Sequence, residues 1–234
     1  MTPKSVTARI FTGLAILCLP GIAQEPKIIE TELLTIALDQ TVDGLFYPSD
    51  KTVQPFQANL TGLSQPMRYK GPQLFVLRAN AAEFTAEPPI PPPVASVLLP
   101  LNCKRVLLAC VQSNDKPLRI IAYEISAENK AGDYRFFNFS SKPLSLILEE
   151  KRFAVSPGKD TPVTNTSWRE SIKDLPIQVA TVENSKPKLV YSSVWGHRPG
   201  RRNFIFMFDG HHPSKPINIC RFFDIPPSEK PQPR

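Results

Sequence analysis

Proline is the residue that most constrains what this chain can fold into. The sequence contains 26 prolines, spread from end to end, against 10 glycines. Because proline lacks a backbone N–H and clashes with the preceding helical turn, this density is hostile to long helices. No long stretch of the sequence places apolar residues at helical spacing. The sequence therefore predicts an all-β fold of short strands joined by rigid turns.

Short apolar runs rich in β-branched and aromatic residues recur along the chain and predict its strands. The proline-rich stretch 87–94 interrupts them and predicts a stiff surface loop, with a polyproline ligand as the alternative. The runs alternate weakly, which we attribute to sandwiched sheets that bury their inner faces. In chain order the predicted strand segments are Glu32–Asp39, Val53–Leu60, Gln73–Ala79, Val94–Leu101, Lys104–Gln112, Leu118–Ile125, Tyr134–Ser140, Leu144–Glu150, Arg152–Val163 (a strand and a Pro-Gly turn), Ile177–Glu183, Lys188–Trp195, Asn203–Asp209 and Ile217–Ile225.

Two distant parts of the chain share one pattern. Arg105–Ile125 and Arg202–Ile225 both read as Arg, an apolar strand, a polar turn ending in Lys-Pro, a second strand, and then an acidic residue and Ile. We therefore predict two tandem immunoglobulin-like β-sandwich domains, at residues 26–128 and 131–227, followed by a disordered tail at 228–234. Chance similarity between two unrelated sandwiches is the alternative.

The N-terminus has the pattern of a secretory signal peptide. Lys4 and Arg9 form a positive region, and the apolar stretch Ile10–Leu19 that follows is too short to span a bilayer. We predict that residues 1–23 are a signal peptide cleaved after Ala23, with a soluble N-terminal helix as the alternative. The mature protein is then exported, to the periplasm or the extracellular space.

Charge excludes few classes of partner. The predicted signal peptide carries two positive charges, so its removal lowers the formal net charge from +7 to +5. These charges are scattered, and we therefore predict no nucleic-acid ligand. No later run is long and apolar enough to be a transmembrane helix, so none is predicted in the mature chain.

Cysteine spacing predicts a fold without obligatory disulfides. Cys103 and Cys110 lie on one extended segment, about 20 Å apart at strand rise, which is beyond bridging distance. With Cys220 the mature chain has an odd number of cysteines, so complete pairing is impossible. Lipidation of Cys18 is an alternative for the N-terminus, but Leu17 is not the small residue that a lipobox places there.

Several short sequences carry a resemblance to a known class of protein. They are YKGP followed by LFVLRA, VASVLLP before RVLLA, YRFFNFSSKPL and VSPGK. Over most of the mature chain they resemble uncharacterised exported bacterial proteins with paired immunoglobulin-like sandwich domains. The resemblance implies this fold and export. It implies no activity and no functional residues.

Motifs for catalysis, cofactors and metals are missing from the sequence. His197 and the pair His211 and His212 flank one predicted strand at opposite ends, about 20 Å apart, and cannot share a metal. Neither a Gly-x-Ser-x-Gly elbow nor a glycine-rich phosphate loop is present. We therefore predict no catalytic residues, cofactor or metal. A hydrolase of an envelope polymer, with carboxylates brought together by folding, is the alternative.

One turn predicts a binding surface. It combines guanidinium groups, which can grip an anionic polymer, with an aromatic ring. The alternative is an ordinary solvated turn whose arginines protect a sheet edge. We predict an exported, non-enzymatic binding or structural module of the bacterial cell envelope that contacts an acidic envelope polymer or an acidic protein through this turn. The candidate residues are Arg198, Arg201, Arg202, Trp195 and His197.

The cysteine analysis makes a first testable prediction. Without an obligatory bridge, the thermal midpoint of the mature protein is the same with and without reductant. Differential scanning calorimetry checks this. A drop of about ten degrees, which corresponds to roughly 2 kcal/mol for a domain of this size, would show that Cys110 or Cys220 is bridged.

Overall fold

The all-β prediction is confirmed. The computed structural model describes residues 27–112, 116–125, 130–164, 166–183 and 186–226, so the predicted signal peptide (1–23) and tail (228–234) lie outside the described residues. Helical structure in the described part is limited to one 3₁₀ turn, Ala81–Phe84, and one α-helical turn, Thr166–Arg169. The strands are β1 Ile28–Ala37, β2 Val42–Ser49, β3 Thr52–Ala58, β4 Met67–Pro72, β5 Leu74–Leu77, β6 Ala95–Leu98, β7 Arg105–Val111, β8 Arg119–Glu124, β9 Tyr134–Asn138, β10 Leu144–Leu148, β11 Lys151–Val155, β12 Asp160–Val163, β13 Lys173–Glu183, β14 Lys186–His197, β15 Arg202–His212 and β16 Lys215–Asp224.

The first half of the chain, β1 to β8, forms one sheet and two hairpins. The sheet has the order β4-β1-β7-β8, in which β1 pairs antiparallel with β4 and parallel with β7. The hairpins are β2–β3 and β5–β6. Two backbone hydrogen bonds of 2.9 and 3.0 Å between Phe46 and Arg78 join the hairpins to each other.

The second half, β9 to β16, repeats this strand order. One sheet has the order β12-β9-β15-β16, with β9 antiparallel to β12 and parallel to β15. The other has the order β11-β10-β13-β14. Each strand thus has a counterpart eight strands later, and the hairpins β7–β8 and β15–β16 occupy corresponding places. Their acidic ends do not correspond in register: Asp224 lies opposite Arg202, whereas the Arg105 carbonyl accepts from the amide of Ile125.

Three apolar clusters hold these sheets together. One lies within the first half, where Leu33 and Val106 pack with Phe56 and Phe75 from the hairpins. A second lies within the second half. Facing sheets around an apolar core are consistent with a β-sandwich. The third cluster joins the halves, and it contains Leu34, Ile36, Leu107, Ala109 and Ile125 of the first half with Phe137, Phe204 and Phe206 of the second.

The third cluster explains why the strands alternate weakly. On β1, Leu33 belongs to the cluster within the first half while Leu34 belongs to the cluster between the halves. Strand β7 is likewise buried on both faces from Arg105 to Cys110. The explanation from sandwiched inner faces alone was incomplete, because the outer faces of β1, β7 and β15 are covered as well. Strands buried on both faces read as continuous apolar runs.

A network of ion pairs links the two halves beside the third cluster. Arg105 donates from Nε and Nη2 to one carboxylate oxygen of Glu32, at 2.9 and 2.5 Å. Its Nη1 lies 3.2 Å from Oδ2 of Asp224, which also accepts from Arg202. Arg105 and Arg202 are only 8% and 6% exposed. Asp224 therefore connects two nearly buried arginines, one from each half.

The cysteines of the described part are free thiols. Cys103 and Cys110 are buried and Cys220 is half-buried. Burial raises the pKa of the Cys110 thiol to about 12, so this thiol stays protonated and unreactive at neutral pH.

Among the residues that the structure describes, no helix is long and apolar enough to cross a membrane.

The shared carboxylate of Asp224 leads to a stability prediction. Asp224→Ala leaves Arg202 and one side of Arg105 without their acceptor, and we expect the free energy of unfolding to fall by about 3 kcal/mol. Glu30→Ala is the matched control, because Glu30 forms an exposed pair with Arg68 at 3.4 Å and its loss costs less than about 1 kcal/mol. Urea unfolding measures both. Equal losses in the two variants would contradict the role of Asp224.

Candidate functional site

The five predicted site residues do not share one exposed surface. Trp195 is 7% exposed, His197 is completely buried and Arg202 is 6% exposed. Placing His197 and Arg202 in a solvated turn was therefore wrong, whereas the face that Trp195 takes was not predicted. The reason is that β14 continues to His197, and alternation along the strand turns both Trp195 and His197 towards the core. Arg198 is exposed and Arg201 half-buried. A binding role for the set stays a prediction.

His197 is part of a buried polar contact. Its Nδ1 lies 3.0 Å from the hydroxyl of Tyr134, and its Nε2 lies 3.5 Å from the carbonyl oxygen of Arg169. Donation by the Tyr134 hydroxyl to Nδ1 and by Nε2–H to the carbonyl satisfies both nitrogens of a neutral ring. Burial lowers the pKa of His197, against a smaller opposing effect of the Arg169 carbonyl. The ring therefore stays neutral and acts as a core residue.

An exposed cluster of guanidinium groups does occur at this end of the second half. Arg201 stacks on Phe223, with 4.1 Å between the guanidinium carbon and the ring centroid. Arg221 lies 5.4 Å from the ring centroid of Trp195 and donates to the carbonyl of Gly196 at 2.8 Å. We call Arg198, Arg201, Arg221 and Phe223 the arginine edge.

The cations of the arginine edge are not neutralised within the described part of the chain. Arg198 donates to the carbonyl of its neighbour His197 at 3.0 Å. Arg201 and Arg221 contact the aromatic rings and the Gly196 carbonyl, and no carboxylate of a described residue pairs with any of the three. Arg202, by contrast, is bound to Asp224. The arginine edge is thus an exposed, net positive surface with an aromatic ring, Phe223, that is 47% exposed.

Two members of the arginine edge were missed in the sequence. Arg221 and Phe223 lie in β16, about twenty residues after the predicted turn. Only the pairing of β15 with β16, which places Phe223 opposite Asn203 and Arg221 opposite Ile205, brings them to it. The one available signal was a charged residue inside the apolar run INICRFFDI.

A cavity of about 640 Å³ lies at the junction of the halves. The carboxylates that line the cavity are the groups that the alternative function, a hydrolase, would use. Glu32 is bound by Arg105, and Glu30 pairs with Arg68. Two of its three carboxylates are thus held in ion pairs, an arrangement that suits a structural network. The cavity is lined by Glu30, Thr31, Glu32, Arg68, Asn102, Lys104, Arg105, Glu124, Ile125 and Arg202.

Metal-binding geometry is not found in the described ranges, where no group of three His, Cys, Asp or Glu side chains converges. His212 instead makes a local contact, with 2.7 Å between its Nδ1 and the hydroxyl of Ser214.

The sequence matches no protein-family model, and no curated protein matches it. We therefore base the proposed function on the exposed charges and backbone groups of this chain.

Burial of His197 leads to a prediction about pH. In the unfolded chain its pKa returns to about 6.5, so below that pH the unfolded state binds a proton that the native state does not. The free energy of unfolding therefore falls as pH drops below about 6.5, by at most about 1.4 kcal/mol per pH unit for one proton.

The His197→Gln variant removes this titration, and its stability changes less than that of wild type between about pH 7.5 and about pH 5.5. The matched control is His212→Gln, at a histidine that is exposed on the surface. Urea unfolding at each pH is the measurement. Parallel pH profiles for His197→Gln and wild type would show that His197 is protonated equally in both states.

Proposed function

We propose that the protein is an exported, non-enzymatic binding module of the bacterial cell envelope, and that the arginine edge docks on an acidic component there. Export is supported by the signal-peptide pattern of residues 1–23. The single observation that carries the docking surface is the group of Arg198, Arg201 and Arg221, exposed or half-exposed and without a carboxylate partner in the described ranges.

We also propose that the module consists of two tandem immunoglobulin-like sandwich domains, at residues 26–128 and 131–227. The repeated strand order supports this, because β1 to β8 and β9 to β16 pair in the same sequence. The separate apolar cluster within each half supports it as well.

Contact with aromatic rings orients the guanidinium groups of the arginine edge for binding an anion. A guanidinium group that lies flat on an aromatic ring keeps its N–H edge free to donate to a carboxylate or a phosphate. Arg201 lies 4.1 Å from the ring centroid of Phe223, while Arg221 is held by the Trp195 ring at 5.4 Å and by one N–H that donates to the Gly196 carbonyl, which leaves its other N–H groups for an anion. Less side-chain entropy is then lost on binding than for arginines that extend freely into water.

The test compares two triple variants with equal loss of charge. In the first, Arg198, Arg201 and Arg221 become Gln. In the control, the exposed Arg68, Arg119 and Arg152 become Gln. Retention on isolated envelope fractions is measured at low salt and at about 1 M salt, where the Debye length is about 3 Å.

We expect wild type and the control to be retained at low salt and released at high salt. The arginine-edge variant loses affinity at low salt by about tenfold or more, since three exposed charge contacts contribute roughly 0.5 kcal/mol each. Circular dichroism confirms that each variant is folded. Equal retention of the two triple variants would refute docking through the arginine edge.

A further inference from the structure

Strand β14 has a long free edge. It is the last strand in the order β11-β10-β13-β14, and within the described residues no strand pairs with its other side. The corresponding strand of the first half, β6, has 4 residues, whereas β14 has 12. Short edge strands are one way in which proteins avoid unwanted pairing. The second half does not use this protection at β14.

Two independent hydrogen bonds show which backbone groups of β14 face the free edge. The carbonyl of Pro176 accepts from the amide of Glu149 at 2.7 Å, so it points away from β14. Val194 lies opposite Pro176, and its own N–H and C=O therefore point away from β13. Two residues on, the Gly196 carbonyl accepts from the Arg221 side chain, which also lies outside the β13–β14 ladder. By alternation, Ser192 and Val194 present their N–H and C=O groups on the free edge.

The side chains around this edge favour one kind of partner. From Leu189 to Gly196 the strand carries no charge, and Leu189 and Val194 are 57% and 61% exposed. Basic residues flank this segment on both sides. Lys186 and Lys188 begin the strand and are exposed. Arg198 and Arg221 lie at its other end.

A second copy of the same chain fits this edge poorly. Strand β14 (Lys186–His197) carries basic residues and no acidic one, so a second copy brings only further positive charge to this edge. Like charges directly opposite each other destabilise a strand pair. An extended segment with acidic residues at both ends meets a basic group at each end instead, while its backbone pairs with Ser192 and Val194.

We propose that β14 binds an extended acidic segment of a partner protein as an added strand. The backbone of the segment pairs with Ser192 and Val194, and its acidic ends contact Arg198 and Arg221 on one side and Lys186 on the other. This inference rests on the proposed function. It identifies the acidic component as a protein segment rather than a polymer.

The experiment uses a synthetic probe and a backbone variant. The probe is a short peptide of alternating Thr and Val with Glu at both ends, and its control is the same peptide N-methylated at alternate residues, which keeps every side chain but cannot complete a ladder. Val194→Pro removes an N–H that faces the free edge, so the β13–β14 ladder remains intact. Val194→Thr is the matched control that keeps the N–H.

We expect the peptide to slow hydrogen exchange of the Ser192 and Val194 amides in NMR spectra of the wild-type protein. Binding weakens by about tenfold or more in the Val194→Pro variant, and equally when the peptide is N-methylated or its Glu residues are replaced by Lys. The Val194→Thr variant binds the peptide as wild type does. Unchanged exchange at Ser192 and Val194, or equal binding of the N-methylated peptide to wild type, overturns strand addition whether or not Val194→Pro folds.

The two proposals fail in different ways on envelope fractions. Retention that depends on Arg198, Arg201 and Arg221 but is unchanged in folded Val194→Pro leaves the proposed function standing and rejects strand addition in favour of an acidic polymer. Retention that depends on neither rejects both. Retention that falls in both variants supports the added strand.

Discussion

Burial on both faces is the constraint on which the rest of this structure depends. Strands β1, β7 and β15 each lie between two apolar clusters, one within their own half and one between the halves. Removing the contact between the halves would expose Leu34 and Ile36 on one side and Phe204 and Phe206 on the other. At roughly 25 cal/mol per Å² of apolar surface, such exposure is costly, so the halves are expected to behave as one unit.

Two neighbouring arginines near the junction of the halves have different roles. Arg201 and Arg202 are neighbours in the sequence, yet Arg202 points into the junction and binds Asp224, while Arg201 stacks on Phe223. Alternation along the start of β15 separates them. The buried arginine needs its carboxylate, because an unpaired buried charge is strongly destabilising. Arg201 is only half-buried, so its guanidinium group keeps contact with water and remains available to a partner.

The proposed surface combines groups that are weak alone. Single exposed arginines contribute little, and an open strand edge alone has no chemical preference. At β14 the two occur together, with Arg221 reaching from the neighbouring sheet to the Gly196 carbonyl. Backbone pairing then supplies a fixed geometry, and the charges select an acidic segment over a basic one.

The sequence by itself determined the β class and the position of most strands, because proline density and apolar runs act locally. It missed β2 and β4, since β2 contains Gly44 and Pro48 and β4 carries Arg68 and Lys70 on an exposed edge. It also recognised the cationic turn but not which of its residues are exposed. Tertiary structure alone decided that, because burial of Trp195 and Arg202 depends on strands and sheets that are distant in the chain. Arg221 joined the site for the same reason: strand pairing, which no local pattern specifies, placed it there.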